Sequence, residues 1–260
     1  MRIINLSMDG IQQAVERGLY DWLGQQDADI ICLQDCRLPA YVLEEPPYIM
    51  EGYHCYFFDS GIDDAYGVGI FTREQPKALI YGLGFSSGTD MQGRYLQIDF
   101  DRLSVGSLLA PQVTDDPESS DIKTKFFDDL QAHLHKITRK RRDFIFCGNW
   151  GIAATKIDVQ NPDDKQKTPG FTENDRLWMD QLIHELGYVD AFRRVNSDKD
   201  EFSWWPSGEM GNGDGWRTDF QIASEALRNK VEYATIYKTQ TFSSHLPVII
   251  DYDLELPESF

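Results

Sequence analysis

Cysteine is scarce in this sequence. Its 260 residues contain four (Cys32, Cys36, Cys55 and Cys147), and none stands in a CxxC pair. Three lie in or beside apolar strand-like runs and read as small buried hydrophobes, kept reduced in a bacterial-type cytoplasm. Positive charge is also short: 25 Lys and Arg face 43 Asp and Glu, for a formal net charge of −18. Most of such a surface repels a phosphate backbone, and counterion release has few cations to work with. Strong autonomous nucleic-acid binding is thereby disfavoured, although one local basic strip or a charge-supplying partner stays compatible. No apolar run reaches the roughly 20 residues of a bilayer-crossing helix, so no membrane association is expected. The start, Met1-Arg2-Ile3-Ile4-Asn5-Leu6, reads as a strand rather than a signal peptide, and a cytoplasmic location is expected. Internal repeats, low-complexity tracts and long linkers are missing as well.

What is present is ample material for a core: 41% hydrophobic and 13% aromatic residues. Strand-like runs recur at Ile3–Leu6, Ile30–Leu33, Tyr53–Phe58, Gly67–Phe71, Tyr95–Phe100, Ser104–Leu109, Asp143–Cys147, Glu232–Ile236 and Val248–Tyr252. Three helices are predicted between them. The first carries Ile11, Val15, Leu19 and Trp22; the second carries Phe126, Leu130, Leu134 and Ile137. The third opens at Thr172 with Asp175 three residues on, carries Leu177, Leu182 and Leu186, and stops at Gly187. This order suits two sheets packed face to face with helices outside, in one domain over residues 1–260. Acidic or glycine-bearing loops at 59–65, 113–120 and 198–215 are expected at the sheet ends.

Four separated stretches carry the residues of interest. They are Ile30-Ile31-Cys32-Leu33-Gln34-Asp35, Cys147-Gly148-Asn149-Trp150-Gly151-Ile152-Ala153 with its continuation Ile157–Pro162, Gly215-Trp216-Arg217-Thr218-Asp219-Phe220, and Ser243-Ser244-His245-Leu246-Pro247-Val248. In this order they resemble the IxCLQE, CGDxNxA, GWRxDY and SDHxPV motifs of the exonuclease III and abasic-site endonuclease branch of the endonuclease/exonuclease/phosphatase family. The resemblance spans nearly the whole chain and implies an α/β fold, the four-layer αββα sandwich.

It also implies where the chemistry would be. Phosphodiester hydrolysis in that family needs a divalent metal on a carboxylate, a base that positions water, and donors around the phosphate. By motif, Ser7 of Ser7-Met8-Asp9-Gly10 stands at the Asn of NxNG, and Asp35 at the metal-binding Glu. Leu109 stands at the phosphate-contacting Tyr, Asn149 at the water-activating Asp, Gly151 at its Asn companion, and Ser244 at the Asp before the catalytic His. His245 and its carboxylate partner Asp219 remain. An amide is far too weak a base to take a proton from water. Gly151 and Leu109 offer the phosphate no polar side chain, and Ser244 removes a negative charge. Losing one general base costs about 10²–10⁴ in rate, and losing several cooperating groups leaves little. The expectation is a pseudoenzyme with no catalytic residue, no metal and no cofactor. The alternative is a reorganised metal-dependent nuclease or phosphatase in which Asp9, Asp35 and Asp158 serve as new ligands.

Further stretches resemble one non-catalytic branch of the family, concerned with catabolite repression control in pseudomonads. They are Leu33-Gln34-Asp35-Cys36-Arg37, Gly93-Arg94-Tyr95-Leu96-Gln97, the basic run Arg139–Arg142, Phe202-Ser203-Trp204-Trp205-Pro206 and Asp251-Tyr252-Asp253-Leu254. That likeness implies a translational co-repressor acting with the RNA chaperone Hfq on A-rich mRNA sites. It would bind RNA weakly or not at all alone, and self-association is left open. Lys136, Arg139, Lys140, Arg141 and Arg142, with Lys156 as an extension, are the candidate RNA or partner contacts; a helix end complementing its macrodipole is the plainer account. Of Trp204, Trp205 and Trp216, two are read as walls of the old cleft or core residues, with base stacking as the other use. Trp150 is expected either to plug the vacated site or to present an apolar contact. His133 and His135, two apart on a helix, point to different faces and make no metal site.

Overall fold

Alternating side chains along the strands decide which surfaces must be covered. In β1 (Arg2–Ser7) and the parallel β2 (Ile30–Gln34), Ile3, Ile30 and Cys32 pack to one side, and Ile4, Leu6, Ile31 and Leu33 to the other. Both faces are apolar, so each needs a covering layer. These strands join β3 (His54–Asp59), β4 (Gly67–Thr72), β11 (Val231–Ile236) and β12 (Val248–Tyr252) in a six-stranded sheet of order β11-β12-β1-β2-β4-β3. The second sheet is built from β5 (Ala78–Tyr81), β6 (Tyr95–Asp99), β7 (Leu103–Leu109), β8 (Asp143–Asn149), β9 (Tyr188–Asp190) and β10 (Asp219–Ser224). Its order is β5-β6-β7-β8-β10-β9. The inner faces share one core that includes Ile3, Val68, Ile98, Val105, Ile145 and Ile250. Outside the first sheet lie α1 (Ile11–Glu16) and α2 (Leu19–Leu23); outside the second lie α4 (Ser119–Ile137) and α5 (Glu173–His184). The short α3 (Ala40–Leu43) and α6 (Ala191–Val195) complete the helices. This is the expected four-layer αββα sandwich. The computed structural model describes residues 1–62 and 65–256, so Asp63 and Asp64 of the predicted loop at 59–65 lie outside the described residues. Among the described residues no helix is long and apolar enough to cross a membrane.

All nine predicted strands are present, with three more that the pattern concealed. The inward side chains of β10 are Asp219, Gln221 and Ala223, so buried polar groups stand where alternation would show apolar ones. β9 is only three residues long, and β5 is an edge strand with mostly exposed side chains. The first predicted helix is two, because Gly18 at φ 85° sits in the left-handed region between α1 and α2. The third has its predicted capping box, in which Thr172 and Asp175 exchange backbone-to-side-chain bonds at 3.2 and 3.1 Å. Its buried residues are Met179 and Leu182, whereas Leu177 is exposed; α5 is rotated from the predicted face. All four cysteines are free, and three are buried.

One buried ion network ties together the chain segments that lead into the second sheet's end. The fully buried Arg217 donates from Nε to Asp158 at 2.7 Å and from Nη2 to Asp190 at 2.6 Å. Arg193 on α6 reaches the same Asp158 oxygen at 2.7 Å. Burial opposes the ionised Asp158 carboxylate, but the two guanidinium groups win and its pKa is lowered. Removing one member of such a network strands charges away from water, at about 3–5 kcal/mol. Arg217→Met should therefore lose about 3–5 kcal/mol in urea unfolding; a loss below about 1 kcal/mol would show that the network is not structural. On α4, burial, helped by Lys140 and Lys136, lowers the His133 pKa to about 4. Above the unfolded value of about 6.5 both states are neutral there. As pH falls toward 4, the unfolded chain takes up a proton that the fold refuses, and stability is lost. His133→Gln should flatten that part of a melting-temperature curve between pH 6.5 and 4; an unchanged acid slope would rule the residue out.

Candidate functional site

The strand register gathers the predicted positions at one end of the sandwich. Ser7 and Gln34 close β1 and β2 as register partners; Leu109 and Asn149 close β7 and β8 as another pair, and Asp219 opens β10 opposite Asn149. Period-two alternation turns their side chains into the space between the sheets. There the sheets are stitched across: Asn149 Nδ2 donates to Ser7 Oγ at 3.4 Å, and Gln34 Nε2 donates to Ser107 Oγ at 2.8 Å. A cleft of about 560 Å³ opens above them, lined among others by Asp9, Asp35, Leu109, Asn149, Gly151 and His245.

Its two carboxylates are both engaged from within the chain. Arg37 forks Asp35, with Nε to Oδ1 at 3.0 Å and Nη2 to Oδ2 at 2.6 Å, and its Nη1 donates to the Asp9 carbonyl at 3.1 Å. Asp9 Oδ2 accepts the Ser244 backbone N–H at 2.8 Å. Asp9, Asp35 and Arg37 all hold left-handed φ values of 53°, 57° and 57°, costly for side-chain-bearing residues. Backbone bonds impose them, from Gly10 N–H to the Asp35 carbonyl and from Cys36 N–H to that of Gly67, at 2.9 and 3.0 Å.

A divalent cation of the kind that drives phosphodiester hydrolysis does not fit this donor set. Magnesium asks for oxygen ligands in near-octahedral order, usually one or two carboxylates plus water. Here a guanidinium fork already takes both Asp35 oxygens. Asn149 Oδ1 accepts the Gly151 N–H at 3.1 Å, and Ser7 and Ser244 bring no charge. Asp158, a ligand in the reorganised-site alternative, is sealed between Arg193 and Arg217 and does not line the cleft. Among the described residues no group of three or more His, Cys, Asp or Glu could hold a metal ion.

The surviving pair is intact: His245 Nδ1 meets Asp219 Oδ2 at 2.8 Å, and Ser203 Oγ donates to the same oxygen at 2.6 Å. Burial works against a charged imidazole, yet Asp219, with Asp9 and Asp35 farther off, outweighs it and raises the His245 pKa. The ring stacks on Trp204, centroids 5.8 Å apart. Gly151 has φ 61°, and a Cβ there would meet Gln112 Nε2 at 2.0 Å, so Gln112 fills the room that the family's Asn would need.

Several expectations change in three dimensions. Trp150 neither plugs the cleft nor faces solvent; it is fully buried on the outer side of the second sheet, 6.1 Å from Trp178. Trp204 and Trp216 line the cleft, while Trp205 belongs to the core between the sheets. Lys136, Arg139, Lys140 and Arg141 are exposed. Arg142 leaves that group, held by Asp99 at 2.6 Å and Ser104 at 3.0 Å. Lys156 does not extend the strip: β8 separates them, and its seven residues span about 20 Å. Lys156 instead pairs with Asp163 at 3.0 Å. The roles of Gln112 and Arg94 in the cleft had no signal in residue spacing, since each depends on contacts between separate segments, and the Arg37 fork on nearby Asp35 depends on a left-handed turn that spacing does not register.

Comparisons with known proteins agree with this architecture. The profile of the Endonuclease/Exonuclease/phosphatase family matches residues 5–243. The exodeoxyribonuclease of Bacillus subtilis (strain 168) is 28% identical over 253 residues, covering 95% of this chain and 98% of the relative. A DNA-(apurinic or apyrimidinic site) endonuclease of Dictyostelium discoideum is 27% identical over 261 residues, covering 98% and 71%. In fold, the catalytic domain of Xenopus laevis APE2 superposes with a TM-score of 0.87 at 24% identity, over 100% of this chain and 94% of that one. With the profile spanning most of its length and the sandwich in place, this chain belongs to the Endonuclease/Exonuclease/phosphatase family.

Proposed function

We propose that the chain is a non-catalytic member of its family, a cytoplasmic translational co-repressor that works with the RNA chaperone Hfq on A-rich mRNA sites in catabolite repression. The observation that carries the loss of turnover is the pairing of Asp35 with Arg37, beside an Asn149 whose amide is spent on Ser7 and Gly151. The amide at Asn149, where the family's motif has the water-activating acid, cannot take a proton from water. The co-repressor part rests on the likeness of the stretches quoted above and on charge. At −18 the chain repels RNA on its own, whereas a cationic partner already on the RNA turns that acidity into attraction. Lys136, Arg139, Lys140 and Arg141 supply a basic patch at the opposite end of β8 from the cleft, so binding there does not involve the dismantled centre.

A second reading, a metal-dependent nuclease, is favoured by one feature, the intact His245–Asp219 pair, and by the nuclease names of the relatives.

Gel shifts on an A-rich RNA should show little or no complex with this protein alone and a larger species only when Hfq is also present. Arg141→Glu should weaken that species at least several-fold and leave the melting temperature unchanged; unaffected assembly would remove the patch from the reading. With magnesium or manganese, abasic and single-stranded DNA should stay uncut. Cleavage that disappears in Asp35→Ala would overturn the non-catalytic reading in favour of the second.

A further inference from the structure

The segment that leads from Trp205 to Trp216 carries a reactive group that the cleft does not use. Residues 207–213 at its tip are all exposed, and Asn212 there precedes Gly213. No other asparagine in the chain precedes a glycine. A side-chain amide can be attacked by the backbone nitrogen of the next residue, and a following glycine brings no Cβ into the way of the ring that forms. The room is present: a Cβ at Gly213 would meet no atom within 4 Å, and the Gly213 N–H has no acceptor among the described residues. Ser207 Oγ donates to the Asn212 carbonyl at 2.6 Å, the shorter of its two contacts, with the Glu209 carbonyl at 3.2 Å as the other. The Asn212 carbonyl shares its peptide with the attacking nitrogen. It takes up negative charge when the Gly213 N–H loses its proton, so the hydroxyl stabilises the nucleophilic form. One exposed bond restrains the side chain, from Asn212 Nδ2 to Glu209 Oε2 at 3.1 Å, and water competes for it.

The other exposed asparagines lack this combination. Asn161 precedes Pro162, which has no N–H to lose. Asn174 precedes Asp175, whose N–H is held by Thr172 Oγ1 at 3.2 Å. Asn229 precedes Lys230, and its Oδ1 accepts from Arg194 at 3.2 Å. From these contrasts we infer that Asn212 is a modification site, where spontaneous deamidation leaves an aspartyl or an isoaspartyl residue. In the first step the Gly213 nitrogen bonds to the Asn212 Cγ and the Cγ–Nδ2 bond breaks. The proton from that nitrogen departs with the ammonia. Water then opens the cyclic imide at either carbonyl; opening at the main-chain one leaves the backbone running through the former side chain. Either product sets a carboxylate against Glu209 in place of a donating amide, close to Asp214, which already pairs with Lys165 at 2.7 Å. Like charges in contact there loosen the turn, four residues before Trp216 on the cleft wall. The isoaspartyl form is also a substrate for enzymatic methyl transfer to its free carboxylate. None of this depends on the co-repressor reading.

The test is incubation of the intact folded protein in mildly alkaline buffer, well below its melting temperature, followed over time by peptide mass spectrometry. Methyl incorporation by an isoaspartyl carboxyl methyltransferase then separates the isoaspartyl product from the aspartyl one. The peptide holding Asn212 should gain the mass of an amide-to-acid exchange several-fold faster than those holding Asn174, Asn196 or Asn229, and should accept methyl groups. Ser207→Ala should slow the conversion by about fivefold, the worth of one hydrogen bond, whereas Ser207→Thr, which keeps the hydroxyl, should retain the rate. Gly213→Ala should slow it several-fold through the added Cβ. Both positions are exposed loop residues, so neither change threatens the core. Conversion no faster than at the other asparagines, an undiminished rate in Gly213→Ala, or a Ser207→Ala rate equal to or above that of the unchanged protein would each overturn the inference.

Discussion

Everything at the functional end of this molecule hangs on one buried guanidinium held between two carboxylates. Arg217 has Asp158 on one side and Asp190 on the other, with the Phe220 ring 4.3 Å beneath it. Asp158 comes from the turn that follows β8, Asp190 ends β9, and Arg217 itself leads into β10. A buried charge without partners is far costlier than a paired one, so these segments are fixed relative to one another. The backbone enforces the same arrangement, as Arg217 N–H donates to the Asp158 carbonyl at 2.7 Å. Two residues on, Asp219 has no freedom left, and through it neither has His245. The imidazole is therefore positioned by electrostatics some way from the cleft.

A second guanidinium does the opposite kind of work. Arg37 sits on the carboxylate that, by motif, corresponds to the family's metal ligand, and it does so through left-handed backbone at Asp35 and Arg37, beside the left-handed Asp9 of the neighbouring loop. Hydrogen bonds between the loops after β1 and β2 hold that strained turn, so the pairing is built into the backbone. Nearby, the neutral amide of Asn149 serves to join the two sheets. Measured against the family's motifs, the residues at these positions are an amide, a glycine, a leucine and two serines, and they make structural contacts here. The fold tolerates them because its stability comes from three apolar layers, none of which includes these polar positions except Leu109.

Electrostatic separation is the third consequence. The exposed basic patch at the end of α4 and the paired charges of the cleft lie at opposite ends of β8, in a chain that is acidic elsewhere. Salt at physiological concentration screens exposed charges beyond about 8 Å, so across a strand of this length the two regions act nearly independently.

The αββα architecture was legible in the residues because two kinds of periodicity coincide with it. Nine strands and the apolar faces of α1, α2 and α4 follow from which side chains must leave water, and the motif order follows from the linear chain. β10 escaped because its inward positions are Asp219 and Gln221, where the buried groups are polar and paired, a pattern that hydrophobic alternation does not register. The replaced positions Ser7, Leu109, Asn149, Gly151 and Ser244 were likewise visible as letters. What the letters could not carry was who meets whom. Arg37 closing on Asp35, Gln112 filling the space beside Gly151, Arg94 lying under the Tyr66 ring, Trp150 turned outward and Arg142 withdrawn from the basic run all depend on strand register and loop closure. Residue type alone determined the layers and the amide at Asn149; strand register and loop closure decided which charges meet, because those pairings are set by the fold and not by composition.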